Sequence, residues 1–231
     1  YVDIISSPGN PLIAPNAPDV YDTNGKLNYS GWGRLQGYYP FAQLLQPYQA
    51  NTNLLNSSMN ISYEIIKGIL LKTDVGYGNS QNDQRRFRTI ASQNPRFNPK
   101  GQADFGYSLF HNLIIEPQLE YNTFIKSGRI TVLTGGSWQK NETNGIIQGG
   151  AEYMNDVLLS SVNNAPIQYT SSYNGAYKYA ALFGRLNYNL DNKYIVNVNL
   201  RRDGSSRFGP GRQYGNFGSV GAAWIFSEER I

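Results

Sequence analysis

A chain of 231 residues with no cysteine and a single histidine, His111, offers neither a disulfide framework nor a thiolate or paired-imidazole metal centre. Its net charge of +4 comes from basic residues scattered along the chain, a poor fit to nucleic acid as a partner. The longest apolar stretch, Ile65 to Leu71, is broken by Lys67 and Gly68 and falls far short of the roughly 20 residues of a membrane helix. Membrane strands, which bury alternate residues, escape that test.

Residues 1 to 52 hold Pro8, Pro11, Pro15, Pro18, Pro40 and Pro47 among many Asn, Gly and Tyr, and read as a long irregular loop. Tyr1 to Pro18 lacks the basic-then-apolar order of a signal peptide. A strict two-residue alternation then begins. Leu55, Ser57, Met59, Ile61, Tyr63 and Ile65 fall on one face of a strand over about 53–65, with Asn56, Ser58, Asn60, Ser62 and Glu64 on the other. After a short turn at 66–68, a second strand over 69–82 sets Ile69, Leu71, Thr73, Val75 and Tyr77 against Leu70, Lys72, Asp74, Gly76 and Gly78.

A polar loop at 83–110 carries Arg85, Arg86, Arg88, Arg96 and Lys100 against Asp83 and Asp104. Those cations suit lipid phosphates or an acidic partner through charge-assisted bonds, or plain solvation. Strands over 112–124 and 129–142 follow, joined at 125–128, with Leu113, Ile115, Leu119 and Tyr121 opposite Glu116, Gln118, Glu120 and Asn122. Pro117 interrupts the first of these and argues for an edge or a bulge. The loop at 143–177 contains one candidate short helix, Ala151 to Val162. The third pair, 178–190 and 194–203, turns at 191–193, and a Gly-rich loop at 204–213 leads to a seventh strand over 214–226.

Three short turns at one end and long loops at the other is the layout of an antiparallel, up-and-down, outer-membrane β-barrel, here an all-β segment of about seven strands. Twelve residues at about 3.3 Å, tilted about 45°, rise roughly 28 Å, close to the roughly 25 Å apolar band of such barrels. Aromatic placement agrees. Tyr63, Tyr121, Tyr188, Tyr194 and Trp224 fall near the short-turn end on the apolar parity, and Tyr77 and Trp138 near the long-loop end, as two girdles would. A soluble β-sandwich, such as an adhesin or glycan-binding module, would spread its aromatics along the strands and pack its apolar faces together.

Catalytic signatures are missing. Glu116 and Glu120 lie roughly 13 Å apart along a strand, beyond the roughly 5 to 9.5 Å of glycosidase carboxylate pairs. Gly209 to Gly215 is G-x-G-x-x-x-G followed by a strand, which is not a dinucleotide fingerprint, and no Walker A sequence occurs. No catalytic, metal or cofactor residue is assigned, and an enzyme is not expected.

Arg201 to Glu229 reads RRDGSSRFGPGRQYGNFGSVGAAWIFSEE. This segment strongly resembles the SusC/RagA family of TonB-dependent outer-membrane transporters of Bacteroidetes. The family pattern is a strand ending in R-x-DGSSRFG, a YG step and a strand closing on W-x-x-SEE. Arg202, Asp203, Gly204, Ser205, Ser206, Arg207, Phe208, Gly209, Tyr214, Gly215, Trp224, Glu228 and Glu229 match it, while Gly218 stands where a proline is expected.

The resemblance implies a barrel of roughly 22 strands, of which this chain is one part. It also implies a plug domain and TonB box elsewhere, TonB-driven import of a large nutrient, glycan or peptide, and a SusD-like surface lipoprotein over the extracellular loops 1–52, 83–110, 143–177 and 204–213. The turns 66–68, 125–128 and 191–193 would then be periplasmic. An open seven-stranded edge in hydrocarbon costs several kcal/mol per unpaired amide, so a longer barrel is required on physical grounds as well.

Two groups of candidate residues follow. Asp203 with Arg201, Arg202 and Arg207 suggests a charge network at the lumen rim, or a tight loop that pairs its own charges, with Gly204, Gly209, Gly211 and Gly215 easing the turn. Trp32, Tyr38, Tyr39, Phe41, Phe87 and Phe97 in the loops are candidates for stacking on sugar rings or peptide, against the alternative of packing within the loops or on the lipoprotein.

Overall fold

The computed structural model describes residues 16–30, 32 and 40–229. Seven strands form one sheet in the order of the chain: β1 Tyr48–Ile66, β2 Ile69–Arg88, β3 Gly101–Ile125, β4 Gly128–Tyr153, β5 Ile167–Leu190, β6 Tyr194–Ser205 and β7 Tyr214–Trp224. No crossover interrupts the sequence order, so the sheet is an up-and-down antiparallel meander, the all-β barrel segment expected from the sequence.

All three tight turns fall where the alternation breaks. Gly68 holds φ +86° in the first, a conformation open to glycine, and its carbonyl accepts from the Asn122 amide at 2.8 Å. In the third, Asp191 and Asn192 both have positive φ, 53° and 57°, and Lys193 N donates to Leu190 O at 2.9 Å. Two consecutive left-handed residues match the right-handed twist of the flanking strands, and Asp and Asn tolerate that region better than other side chains.

The strands run further than the alternation predicts. The loops expected at 83–110 and 143–177 contract, because β2 continues to Arg88, β3 starts at Gly101, β4 reaches Tyr153 and β5 starts at Ile167. β1 likewise starts at Tyr48, inside the expected loop 1–52. Neither face of these extensions is consistently apolar, with Leu109, Ile146, Ile147 and Ile167 standing among polar, glycine and aromatic positions, so period-two hydrophobicity vanishes while the backbone ladder, which is indifferent to side-chain polarity, goes on. Pro117 is carried inside β3 without ending it.

The expected helix at Ala151 to Val162 is replaced by the end of β4 and two 3-10 turns, Asp156–Ser160 and Val162–Asn164. Leu158, Leu159 and Val162 have helical spacing, but Asn155 and Ser161 each accept a hydrogen bond from the backbone two residues on, at 3.0 and 3.3 Å. Such local bonds start short turns and compete with a continuing helix.

The chain forms two compact units. The first combines the described residues up to 52 with 82–107 and 145–172; the second combines 53–81, 108–144 and 173–229. Unit one has a small conventional core of Ala103, Tyr153, Leu159 and Ala165, with Phe87 and Phe105 packed against it, their two rings edge to face at 5.9 Å. The Tyr153 hydroxyl, inside that core, donates to Ser161 O at 2.9 Å. Asp156 receives the amides of Ile90 at 2.6 Å and Ala91 at 3.3 Å, and Gln93 Nε2 donates to Lys100 O at 2.7 Å. The connection 89–100 is thereby tied down by bonds rather than left loose. Unit two differs: among its described hydrophobic residues only Ala181 is buried.

Candidate functional site

The two faces of the sheet in unit two are chemically opposite, and strand register fixes which side chains share each face. On one, β5, β6 and β7 align Leu186, Val198 and Val220 in one row and Tyr188, Val196 and Ala222 in the next. One residue along, on the other face, the rows are Arg185, Asn199, Ser219 and Asn187, Asn197, Gly221.

Side-chain hydrogen bonds knit the polar face together. Arg185 Nε donates to Asn199 Oδ1 at 3.0 Å, Asn199 Nδ2 to Ser219 Oγ at 3.2 Å, and Asn187 Nδ2 to Asn197 Oδ1 at 2.7 Å. Across β2, β3 and β4, Lys72 pairs with Glu120 at 2.9 Å, and Asn122 bridges Glu120 at 2.6 Å and Thr131 at 2.6 Å. Asn60 donates to Asp74. Ser137 donates to Glu116 at 2.7 Å, so neither Glu116 nor Glu120 stands free as an acid or base. A surface with this density of fixed donors and acceptors is matched to water and polar solutes.

The apolar face is left uncovered. Leu55, Met59, Ile61, Leu119, Leu186 and Leu200 are all exposed, Leu200 at 64%. An exposed run of this extent over several adjacent strands is not the surface of a protein that lives in water, where apolar patches seldom exceed a few hundred Å².

Aromatics on this face gather beside the tight turns, with Tyr77 and Trp138 part-way along β2 and β4. Tyr194 and Trp224 are direct register partners beside the third tight turn. The Tyr194 hydroxyl and Trp224 Nε1 both donate to Glu229, at 2.6 and 3.1 Å, and Lys193 Nζ adds a contact at 3.3 Å. These donors, Tyr194 first, hold the Glu229 carboxyl below the usual carboxylate range. Sequence reasoning matched Glu229 to a motif but assigned it no role; its signal was an acidic pair just beyond a strand that ends in Trp. Tyr63 and Tyr121 are exposed near the other two tight turns, and Tyr188 is half-buried near the third. Tyr77 lies part-way along β2 against His111, its hydroxyl 3.4 Å from Nδ1.

Only part of the expected charge network around the DGSSRFG segment forms. Arg201 Nε donates to Asp203 at 2.6 Å and its other nitrogen to the Tyr179 hydroxyl at 2.6 Å. Arg202 is absent from that network. One residue on, it points to the opposite face, over the Tyr214 ring at 5.0 Å, and Arg207 lies over Tyr177 at 4.6 Å. Ser205 Oγ accepts from the Arg207 amide at 3.3 Å and Ser206 Oγ from the Lys178 amide at 2.9 Å, while Phe208 is exposed.

The glycines divide by role. Gly211 alone of the four takes a left-handed φ, +80°. Gly204 instead makes room for Tyr214, whose ring would stand 2.7 Å from an added Cβ. Gly209 has open space around it and an ordinary φ, so nothing in the structure requires glycine there.

The loop aromatics do not gather into one site. Trp32 stacks edge to face on Phe41 at 5.3 Å and donates to Asp19 O at 3.3 Å, and Phe87 belongs to the core of unit one. Phe97 is 65% exposed in the turn Pro95–Phe97. Tyr38 and Tyr39 lie outside the described residues.

No family model matches the chain. It is 28% identical over 223 residues to TonB-dependent receptor P3 of Formosa agariphila, an alignment covering 93% of this chain and 22% of that protein. TonB-dependent receptor SusC of Bacteroides thetaiotaomicron matches at 28% identity over 127 residues, 55% of this chain and 12% of its own length. The chain thus spans less than a quarter of the length of the curated relatives it matches. The solved RagAB peptide transporter superposes with TM-score 0.73 at 22% identity, over 90% of this chain and 24% of that one. The likeness expected from the DGSSRFG segment therefore holds over most of the chain, and the fold is that of a TonB-dependent barrel segment.

Proposed function

We propose that this chain, a barrel segment of the SusC/RagA type of TonB-dependent receptor, forms part of the wall of an outer-membrane importer of a large nutrient, glycan or peptide. The observation that carries the reading is the uncovered apolar face of unit two. Its hydrophobic side chains meet no opposing sheet, so a lipid hydrocarbon phase is the environment that removes them from water. The hydrogen-bonded polar face then lines an aqueous passage, and the strands complete their hydrogen bonding within a longer closed barrel.

In this reading the three tight turns face the periplasm and the longer connections face outward. Tyr63, Tyr77, Tyr121, Trp138, Tyr188, Tyr194 and Trp224 sit at the two lipid boundaries. The connections carrying Trp32, Phe41 and Phe97 belong to the docking surface for nutrient and for a SusD-like lipoprotein, and TonB acts through a plug supplied by the rest of the protein. Support comes from the relatives, which are receptors and a transporter rather than enzymes. The soluble adhesin alternative requires the apolar faces to pack on one another, and unit two offers no such core.

The test is fractionation of cells expressing the full protein that carries this chain. Recovery in the outer membrane, with extraction only by detergent, is expected; native protein in the aqueous fraction would overturn the assignment. Loss of growth on either a peptide or a glycan as sole carbon source, on deletion of that protein, then names the nutrient class.

A further inference from the structure

The apolar face is not uniform, because a groove of about 440 Å³ crosses it, lined by residues of β3, β4, β5, β6 and β7. Its floor is made of small or ring-constrained residues, Pro117, Gly136 and Ala180, and its walls include Ile115, Trp138 and Leu182. Small residues beside large ones on a surface otherwise studded with Leu and Val leave a slot whose volume falls in the range of small-ligand sites.

Arg202 is the one charged residue that lines it. The guanidinium lies over Tyr214, and among the described residues Arg202 makes no ion pair. Neighbouring positions on the same face are basic as well. Lys140 stands two residues beyond Trp138, and Lys178 two residues before Ala180. On this face Glu142 is already held by Lys140 at 2.7 Å, and Asp203 turns to the opposite face and pairs with Arg201.

Height along the strand explains why a cation is tolerated here. Arg202 is eight residues from Tyr194, about 19 Å of rise at a 45° tilt. That leaves about 6 Å to the far boundary of a roughly 25 Å band, a gap that an arginine side chain spans by snorkelling.

We propose that this groove binds a phosphate-bearing membrane lipid, with one acyl chain lying along Ile115, Pro117, Gly136 and Leu182 and the headgroup phosphate paired with Arg202. The shape takes a flexible hydrocarbon chain, and the unpaired guanidinium with two nearby lysines supplies the complementary charge for an anionic head. Arginine suits the task because its planar fork holds phosphate oxygens in two parallel bonds. The inference rests on the membrane reading above, and its test separates the two.

The protein carrying this chain, with Trp138 as its only tryptophan, is reconstituted in vesicles of phosphatidylcholine containing a minor fraction of bromine-labelled lipid. Bromine on the acyl chain quenches a tryptophan it touches. Labelled phosphatidylglycerol is expected to quench Trp138 with about fivefold preference over labelled phosphatidylcholine, the factor one surface cation supplies toward an anionic head. Arg202→Gln should abolish the preference, Arg202→Lys should keep most of it, and excess inorganic phosphate should leave it unchanged.

Equal quenching by the two lipids, or a preference that survives Arg202→Gln, overturns the lipid site while leaving the membrane wall intact. Removal of the preference by inorganic phosphate overturns it in favour of a free-anion site. No quenching by either lipid overturns the membrane reading itself.

Discussion

Replacing Leu200 by arginine separates a lipid-facing wall from a water-facing one. Leu200 is on the internal strand β6, is 64% exposed, and has Gly184 and Gly218 as its register neighbours, so a longer side chain meets no steric obstacle across the strands. It lies six residues from Tyr194, about 14 Å of rise at a 45° tilt, which is close to the middle of a roughly 25 Å band. Arginine at the midplane of a barrel wall costs about 2 to 4 kcal/mol, whereas an exposed substitution in a soluble protein stays within about 0.5 kcal/mol.

Val196 supplies the internal comparison. It shares the face and strand but sits only about 5 Å of rise from Tyr194, where arginine costs about 0 to 1 kcal/mol. Guanidinium unfolding of the vesicle-embedded protein, followed by tryptophan fluorescence, measures both. Leu200→Arg is expected to lower stability by at least about 2 kcal/mol, the lower limit for the midplane, and by clearly more than Val196→Arg. Equal and negligible costs would refute the assignment of this face to lipid.

Three further outcomes are expected. Tyr153→Phe removes the bond to Ser161 O while keeping the ring in the core of unit one, so a loss of about 1 kcal/mol, read by protease protection of the 154–166 connection, is expected. Asp156→Ala leaves the Ile90 and Ala91 amides without their acceptor, and hydrogen exchange at those two positions should speed up well before global unfolding. Glu229 has a depressed pKa in the folded state, so its stabilising contribution is complete above the ordinary carboxylate pKa and is lost as pH falls through the folded value. The fluorescence of Trp224 should therefore change below about pH 4.3 in the native protein, and Glu229→Gln should flatten that change.

Much of the wall could be read residue by residue. The parity of Leu186, Val196 and Val198 against Asn187, Asn197 and Asn199 predicted the two faces, and the register of β5 and β6 places them so. Parity also carried information that the motif obscured. Arg201 and Arg202 read together as a charge cluster, yet adjacent residues of a strand must face opposite ways, and only Arg201 reaches Asp203.

What the sequence by itself determined was everything that repeats with the backbone's own period: strand identity, the tight turns at Gly68 and at Asp191 and Asn192, and the polarity of each face. Those features depend on a residue and its neighbours two positions away, so they need no knowledge of distant partners. Tertiary structure decided where the strands stop, because the ladders of β2 to β5 continue through segments whose two faces are alike. It also decided which side chains meet: Asp156 with the Ile90 amide, Glu229 with Tyr194 and Trp224, and the groove shared by five strands. Those contacts depend on register and on approach across many residues of chain, which local pattern does not encode.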